Sequence, residues 1–206
     1  PEKRHATYQG EFKWFILRQL NLYAPLFESY KILNTRQISR MEDAEILTEL
    51  IQILDAGITT RSQKKLEKLY MKYDSSFEPS EKYRDKLSNT MDYIKIELSD
   101  VCESYVLKKY SFYSLFSALV YNRWGLPNIN PKEVSGLETS GVFSENPNVA
   151  SQNILELFDA VDRDEDKGRF GEFVRANKRA TGNLESRKTR LKWIVAALQD
   201  RLKDFY

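Results

Sequence analysis

Apolar residues recur along this chain at helical spacing from one end to the other. Tyr8, Phe12, Phe15 and Ile16 share one face of a first helix. Leu47, Leu50, Ile51 and Leu54 follow the i, i+3, i+4, i+7 template that lines up one side of an α-helix. Ser39 with Glu42 three residues on predicts a capping box at the start of that helix, and Gly57 predicts its stop. Leu66, Leu69, Tyr70 and Tyr73 repeat the template behind a second cap pair, Thr60 and Gln63. A longer helix is expected after Pro79, through Tyr83, Leu87, Met91, Ile94 and Leu98. Phe112, Leu115, Phe116 and Leu119 form another stripe, and Tyr113 and Val120 widen it, so this helix should be central.

The pattern breaks between Gly125 and Asn148, where three of the six prolines and three of the eight glycines fall. That stretch reads as an irregular connection and a boundary between two lobes. Helical spacing resumes at Val149, Ile154, Leu157, Phe158 and Val161, continues briefly at Phe170, Phe173 and Val174, and ends with Leu191, Ile194, Val195, Leu198 and Leu202. No run alternates as a strand would. The expectation is an all-α, multi-helix bundle of about seven to nine helices. Its lobes would span residues 1–124 and 149–206, with 125–148 as the connection.

Composition narrows the class. A chain of 206 residues can bury a core without staples. Twelve Tyr and eleven Phe argue against disorder. The single cysteine, Cys102, excludes an internal disulfide and suits a reducing, cytoplasmic setting; it reads as a small buried apolar residue. The longest apolar runs, such as Trp14–Leu17 and Trp193–Leu198, are too short to span a bilayer. A chain that begins at Pro is expected to be a piece of a longer protein.

Catalytic chemistry is sparse. His5 is the only histidine, so a two-histidine nuclease site is impossible, and it reads as a surface or interface residue. There is no glycine-rich phosphate loop and no CxxC pair, and no cofactor or metal is expected. Asp162, Asp164 and Asp166 have the opening spacing of a calcium loop. Lys167 occupies the position that needs glycine, and Phe173 the one that needs the bidentate glutamate, so the run reads as a solvated acidic turn.

Charge is informative only locally. From Phe173 to Lys203 there are nine Lys or Arg against two acids. Lys178, Arg179, Lys188, Arg190 and Lys192 are the residues expected to meet DNA phosphates if this segment is more than a solvated basic face. Projected at about 100° per residue, Arg187 falls on the Leu191/Ile194/Leu198 stripe and Trp193 points away from it. Arg40 and Asp43 project onto the apolar side of their own helix. Arg40, Asp43 and Arg187 are therefore expected to form an ion-pair cluster at the core edge, with Asp43 the first partner for Arg187.

Several of these residues carry a resemblance. Arg4-His-Ala-Thr-Tyr-Gln-Gly-Glu-Phe12 resembles the segment that follows an upstream LNxQE in the domain of unknown function 262 (GmrSD-type) restriction family. Ile38-Ser-Arg-Met-Glu-Asp-Ala-Glu-Ile-Leu-Thr-Glu-Leu-Ile51 is similar to its RMxDxExxxELI block. Phe112-Tyr-Ser-Leu-Phe116 resembles its DFYSLF block, with Ser111 in place of the Asp. Thr181, Arg187 and Arg190 are similar to a terminal T…RxxR pattern. The resemblance implies a parent protein with a ParB/sulfiredoxin-like N-terminal domain bearing a DGQQR-type motif and, further on, a histidine-rich nuclease domain. Neither is in these residues. It also implies a role in restricting modified or foreign DNA by nucleotide-dependent cleavage.

The expected function is thus a helical accessory domain that supports its own N-terminal catalytic domain and touches duplex DNA, with no membrane partner. The alternative is an interaction scaffold without DNA contact, docking through Trp193 and the N-terminal segment. On either reading the fragment alone is expected to cleave nothing.

Overall fold

The apolar stripes become helices that bury them against one another. A computed structural model describes residues 7–105 and 107–205, which form ten α-helices and two 3-10 turns with no strand among them. Helix α1 (Glu11–Ser29) buries Phe12, Phe15, Ile16, Leu20, Tyr23 and Phe27. Its first turn is pinned to the loop after a later helix: the Gly10 amide donates to Asp74 Oδ1 at 2.9 Å, and the Phe77 amide donates to Glu11 Oε2 at 2.6 Å. A Cβ on Gly10 would stand 1.5 Å from the Asp74 carbonyl oxygen, so only glycine fits this approach.

A four-residue helix, α2 (Thr35–Ile38), precedes α3 (Glu42–Ala56). The capping box here is Asn34 with Gln37, each side chain 3.0 Å from the other's backbone amide. Ser39 and Glu42 do not form one. Ser39 lies at the end of α2 and donates to the Arg36 carbonyl, while Met41 enters α3 in the left-handed region. Gly57 ends α3 as expected, at φ 76°. Thr60 likewise does not cap α4 (Gln63–Lys72), which follows Ser62. Its hydroxyl accepts instead from the Leu184 amide, 124 residues away, in the first turn of the last long helix.

Helix α5 (Ser80–Glu97) follows Pro79, and α6 (Ser99–Ser104) turns the chain toward α7 (Lys109–Trp124). Every residue of α7 from Ser111 to Asn122 is buried, which makes it the axis of the bundle. Its serines are tolerated there because Ser114 and Ser117 donate to the carbonyls of Tyr110 and Tyr113. Then come a 3-10 turn (Pro131–Val134), α8 (Pro147–Asp162), α9 (Gly171–Lys178), α10 (Leu184–Leu198) and a final 3-10 turn (Leu202–Phe205).

The segment 125–148 is irregular, as expected, but it does not divide two cores. Leu126, Ile129, Val134, Leu137 and Phe143 are buried in the same cluster as Leu47 and Leu50 of α3, Phe112 and Phe116 of α7, and Leu191 and Ile194 of α10. Helix α10 packs along α7, so the chain after residue 148 closes over the helices before residue 125. Hydrogen bonds strap the connection down. Tyr121 donates to the Leu137 carbonyl and Asn122 to the Phe143 carbonyl. Gln199 of the loop after α10 donates both to Asn122 and to the Glu138 carbonyl. No helix of the described residues is long and apolar enough to cross a membrane.

Candidate functional site

Three glutamates of α3, Glu42, Glu45 and Glu49, fall at i, i+3 and i+7 and so share one side of the helix. That side faces α7 and the loop before α10, and each glutamate finds a cation there. Lys109 pairs with Glu42. Arg61 pairs with Glu45 and reaches Glu49 at 3.2 Å. Arg187 of α10 donates to Glu49 at 2.7 Å. Burial by itself pushes Glu45 up, but the hydrogen bonds from Arg61 and Gln63 outweigh it and hold its carboxyl below the usual range.

Arg187 is 3% exposed. It also donates to the Thr59 carbonyl at 3.0 Å, and its guanidinium lies 3.9 Å over the Tyr113 ring. Its Nε has no hydrogen-bond partner among the described residues. The expected partner, Asp43, is not the one found. Glu49 lies further along α3 and toward the α7–α10 side, whereas Asp43 sits in the first turn and accepts from the Ala44 amide at 2.8 Å. Burial raises the Asp43 pKa, and no cation among the described residues pairs with it. Arg40 is exposed and takes part in no ion pair among the described residues, so the Arg40–Asp43–Arg187 cluster is replaced by the glutamate stripe.

Arg190, one turn beyond Arg187, is fully buried. It cannot meet a DNA phosphate. Its guanidinium donates to Ser114 Oγ at 2.8 Å, to the Ala176 carbonyl at 2.5 Å and to the Thr181 carbonyl at 2.7 Å. No carboxylate among the described residues pairs with it. Burial pulls its pKa down to about 10, and Arg187 adds to that. The Ala176 carbonyl is one of the last of α9, a group left without an intrahelical partner, so Arg190 closes that helix end and its charge suits the dipole there.

The other expected phosphate contacts are mostly engaged. Lys178 pairs with Asp164, Lys188 with Glu133 at 2.5 Å and Lys192 with Glu172 at 2.5 Å. The Lys188 hydrogen bond holds Glu133 below its ordinary range. Arg179 is exposed and outside any ion pair among the described residues. Trp193 does not point outward. It is 3% exposed, packs against Phe170 and Phe205 and donates to Glu172 at 3.0 Å, so it cannot form a docking surface. The projection failed because α9 and the last 3-10 turn cover that side of α10.

The remaining chemical groups are placed as follows. Cys102 is buried, and burial pushes its thiol up to about 12. In the acidic turn, Asp164 is committed to Lys178, and no group of three or more His, Cys, Asp or Glu among the described residues is arranged to hold a metal. His5 lies outside the described residues. A cavity of about 100 Å³ lies beside the glutamate stripe, lined by Tyr110, Tyr113 and Arg187 among others.

The glutamate stripe carried a readable signal, the i, i+3, i+7 acids beside an apolar face. What was not readable was which cation each would meet, because those partners come from three other segments, the loop after α3, the start of α7 and α10. Geometrically, three blocks of the chain converge here: Arg40–Ile51 through Glu49, Phe112–Phe116 through Tyr113 and Ser114, and Thr181–Arg190 through both arginines. Comparison of the chain with family models, with curated proteins and with solved structures finds no match.

Proposed function

We propose that this chain is a helical support domain of a GmrSD-like restriction or phage-defence protein acting in the cytoplasm, docked against a catalytic domain borne by the same protein. The observation that carries the reading is the outward side of α1, where Trp14 and Leu22 are 51% and 64% exposed. A groove of about 540 Å³ continues from Leu22 past Leu26 and Tyr30 to Met91 of α5. Exposed apolar surface of this kind marks an interaction site, and α1 follows directly on the segment that the resemblance joins to the N-terminal domain. The converging blocks support the same reading: each of the three glutamates beside the small cavity is already paired with a cation.

The test is Trp14→Glu with Leu22→Glu in the full-length parent. The expected result is loss of restriction of incoming phage DNA with the unfolding midpoint of the helical domain unchanged. Unchanged restriction would overturn the docking role.

Contact between DNA and the last helix is the second reading. It is favoured by the exposed Arg179 and by the weakness of surface ion pairs, worth about 0–1 kcal/mol, which phosphates can displace. Duplex binding that falls steeply with salt, and that disappears on replacing Arg179 and Lys188 by Glu, would support it.

A further inference from the structure

Lys82 and Lys86 sit one turn apart on α5, and neither takes part in an ion pair among the described residues, although α5 is rich in acids. Its nearby carboxylates turn elsewhere: Glu81 and Asp85 both pair with Arg84. Both lysines line a cleft of about 440 Å³ bounded by Leu54 and Asp55 of α3, by α5, and by Trp124 and Leu126 at the end of α7. The one carboxylate in that lining is already matched. Asp55 accepts from Lys72 at 2.7 Å, from Tyr73 at 2.5 Å and from Tyr83 at 3.1 Å.

Trp124 organises the cations. The Lys86 ammonium lies 5.0 Å from its ring centre and the Arg123 guanidinium also 5.0 Å. Arg123 further stacks on Phe143 at 4.6 Å and makes no ion pair among the described residues. Cation–π contacts hold these groups in place without neutralising them.

We infer that this cleft between α5 and the end of α7 binds a phosphoryl oxyanion through Lys82 and Lys86. Two ammonium groups on a concave surface whose one carboxylate is already paired with Lys72 are complementary to a multiply charged anion. Burial and the neighbouring Lys82 both depress the Lys86 pKa, a cost that a bound anion would remove. The site is separate from the basic segment of α9 and α10 and from the docking surface proposed above.

The phosphoryl group could come from a small free anion or from a nucleic-acid strand. The test titrates the protein at low ionic strength with inorganic pyrophosphate and, separately, with a single-stranded oligothymidylate, following heat by calorimetry. Saturable binding of pyrophosphate identifies the free anion; binding of the oligonucleotide alone identifies the phosphodiester. In both cases Lys82→Gln with Lys86→Met should weaken binding at least roughly tenfold, while Lys188→Gln with Lys192→Gln leaves it unchanged. The Met stem keeps its packing on Trp124, and an unaltered melting curve establishes that the variant is folded. No saturable binding of either probe up to about 10 mM, beyond the weak end of specific recognition, overturns the inference. Equal binding by the Lys82/Lys86 variant overturns it too.

Discussion

Arg187 and Lys188 are neighbours in sequence, both cationic and both paired with a glutamate, yet they do different work. The Arg187 side chain is 3% exposed and reaches across 138 residues to Glu49 in the middle of the bundle. The Lys188 side chain is 22% exposed and meets Glu133 at the surface. A buried pair is costly to desolvate and costlier to break, because the surviving partner is left charged and alone. A surface pair is screened by water and salt and contributes little. One helix thus carries a structural face and an exchangeable one, and charge counted along the sequence does not distinguish them.

The sharpest break of that comparison is removal of one buried partner. Arg187→Ala should cost about 3–5 kcal/mol, read as a fall in the urea midpoint. Replacing both partners, Arg187→Met with Glu49→Leu, should recover part of that loss. If the double variant is as unstable as the single one, the pair is not what Arg187 supplies.

Arg190 sharpens it next, since it is buried without any carboxylate. Arg190→Met should cost about 1–3 kcal/mol for each acceptor left dry, and hydrogen exchange should quicken at the end of α9. Protection unchanged at Ala176 to Lys178 would count against the helix-closing role.

Acid should separate the faces by titration. Glu45, Glu133 and Glu172 are held below the ordinary glutamate value of 4.5. Their contributions are complete above that pH and are lost as pH falls through their lower folded values. Asp43 runs the other way. Its pKa is raised above 3.8, so its ionisation opposes folding increasingly as pH rises through that range, and Asp43→Asn should stabilise the protein at neutral pH. A stability curve for Asp43→Asn that lies below wild type at pH 7 would contradict this.

The smallest effect is expected from Lys188→Gln and Lys192→Gln, each within about 0–1 kcal/mol and shrinking further in high salt. A larger loss that persists in salt would make these lysines part of the structural face.

The all-α class, the buried α7 and the stop at Gly57 were legible because each follows from local spacing or from one residue's backbone freedom. The inward turn of Arg187 was legible for the same reason, since a helical projection needs only neighbours on one helix. Its partner was not, because choosing Glu49 over Asp43 depends on how α10 lies across α3. Trp193 was misplaced on the same ground: one helix viewed alone has an outside, but α9 and the last turn remove it. Ser39 and Thr60 matched cap spacing, yet Met41 and Ser62 precede the helix starts. Thr60 shows why such pairs mislead, for its hydroxyl is used by a helix that begins at residue 184.

The reach of Arg187 to Glu49 has a consequence for how the chain is made. Until α10 leaves the ribosome, Glu49 has only Arg61, Ser114 has no guanidinium, the end of α9 lacks the Arg190 donor, and the flank of α7 that α10 covers lies open. Contacts of such long sequence separation form late and close slowly, and a nascent chain in that condition exposes sticky, half-satisfied surface. The earlier helices can collapse during synthesis, but the bundle locks only when its last long helix arrives. Translation that stops before residue 184 therefore yields a polypeptide destined for chaperones or proteases rather than a smaller working domain.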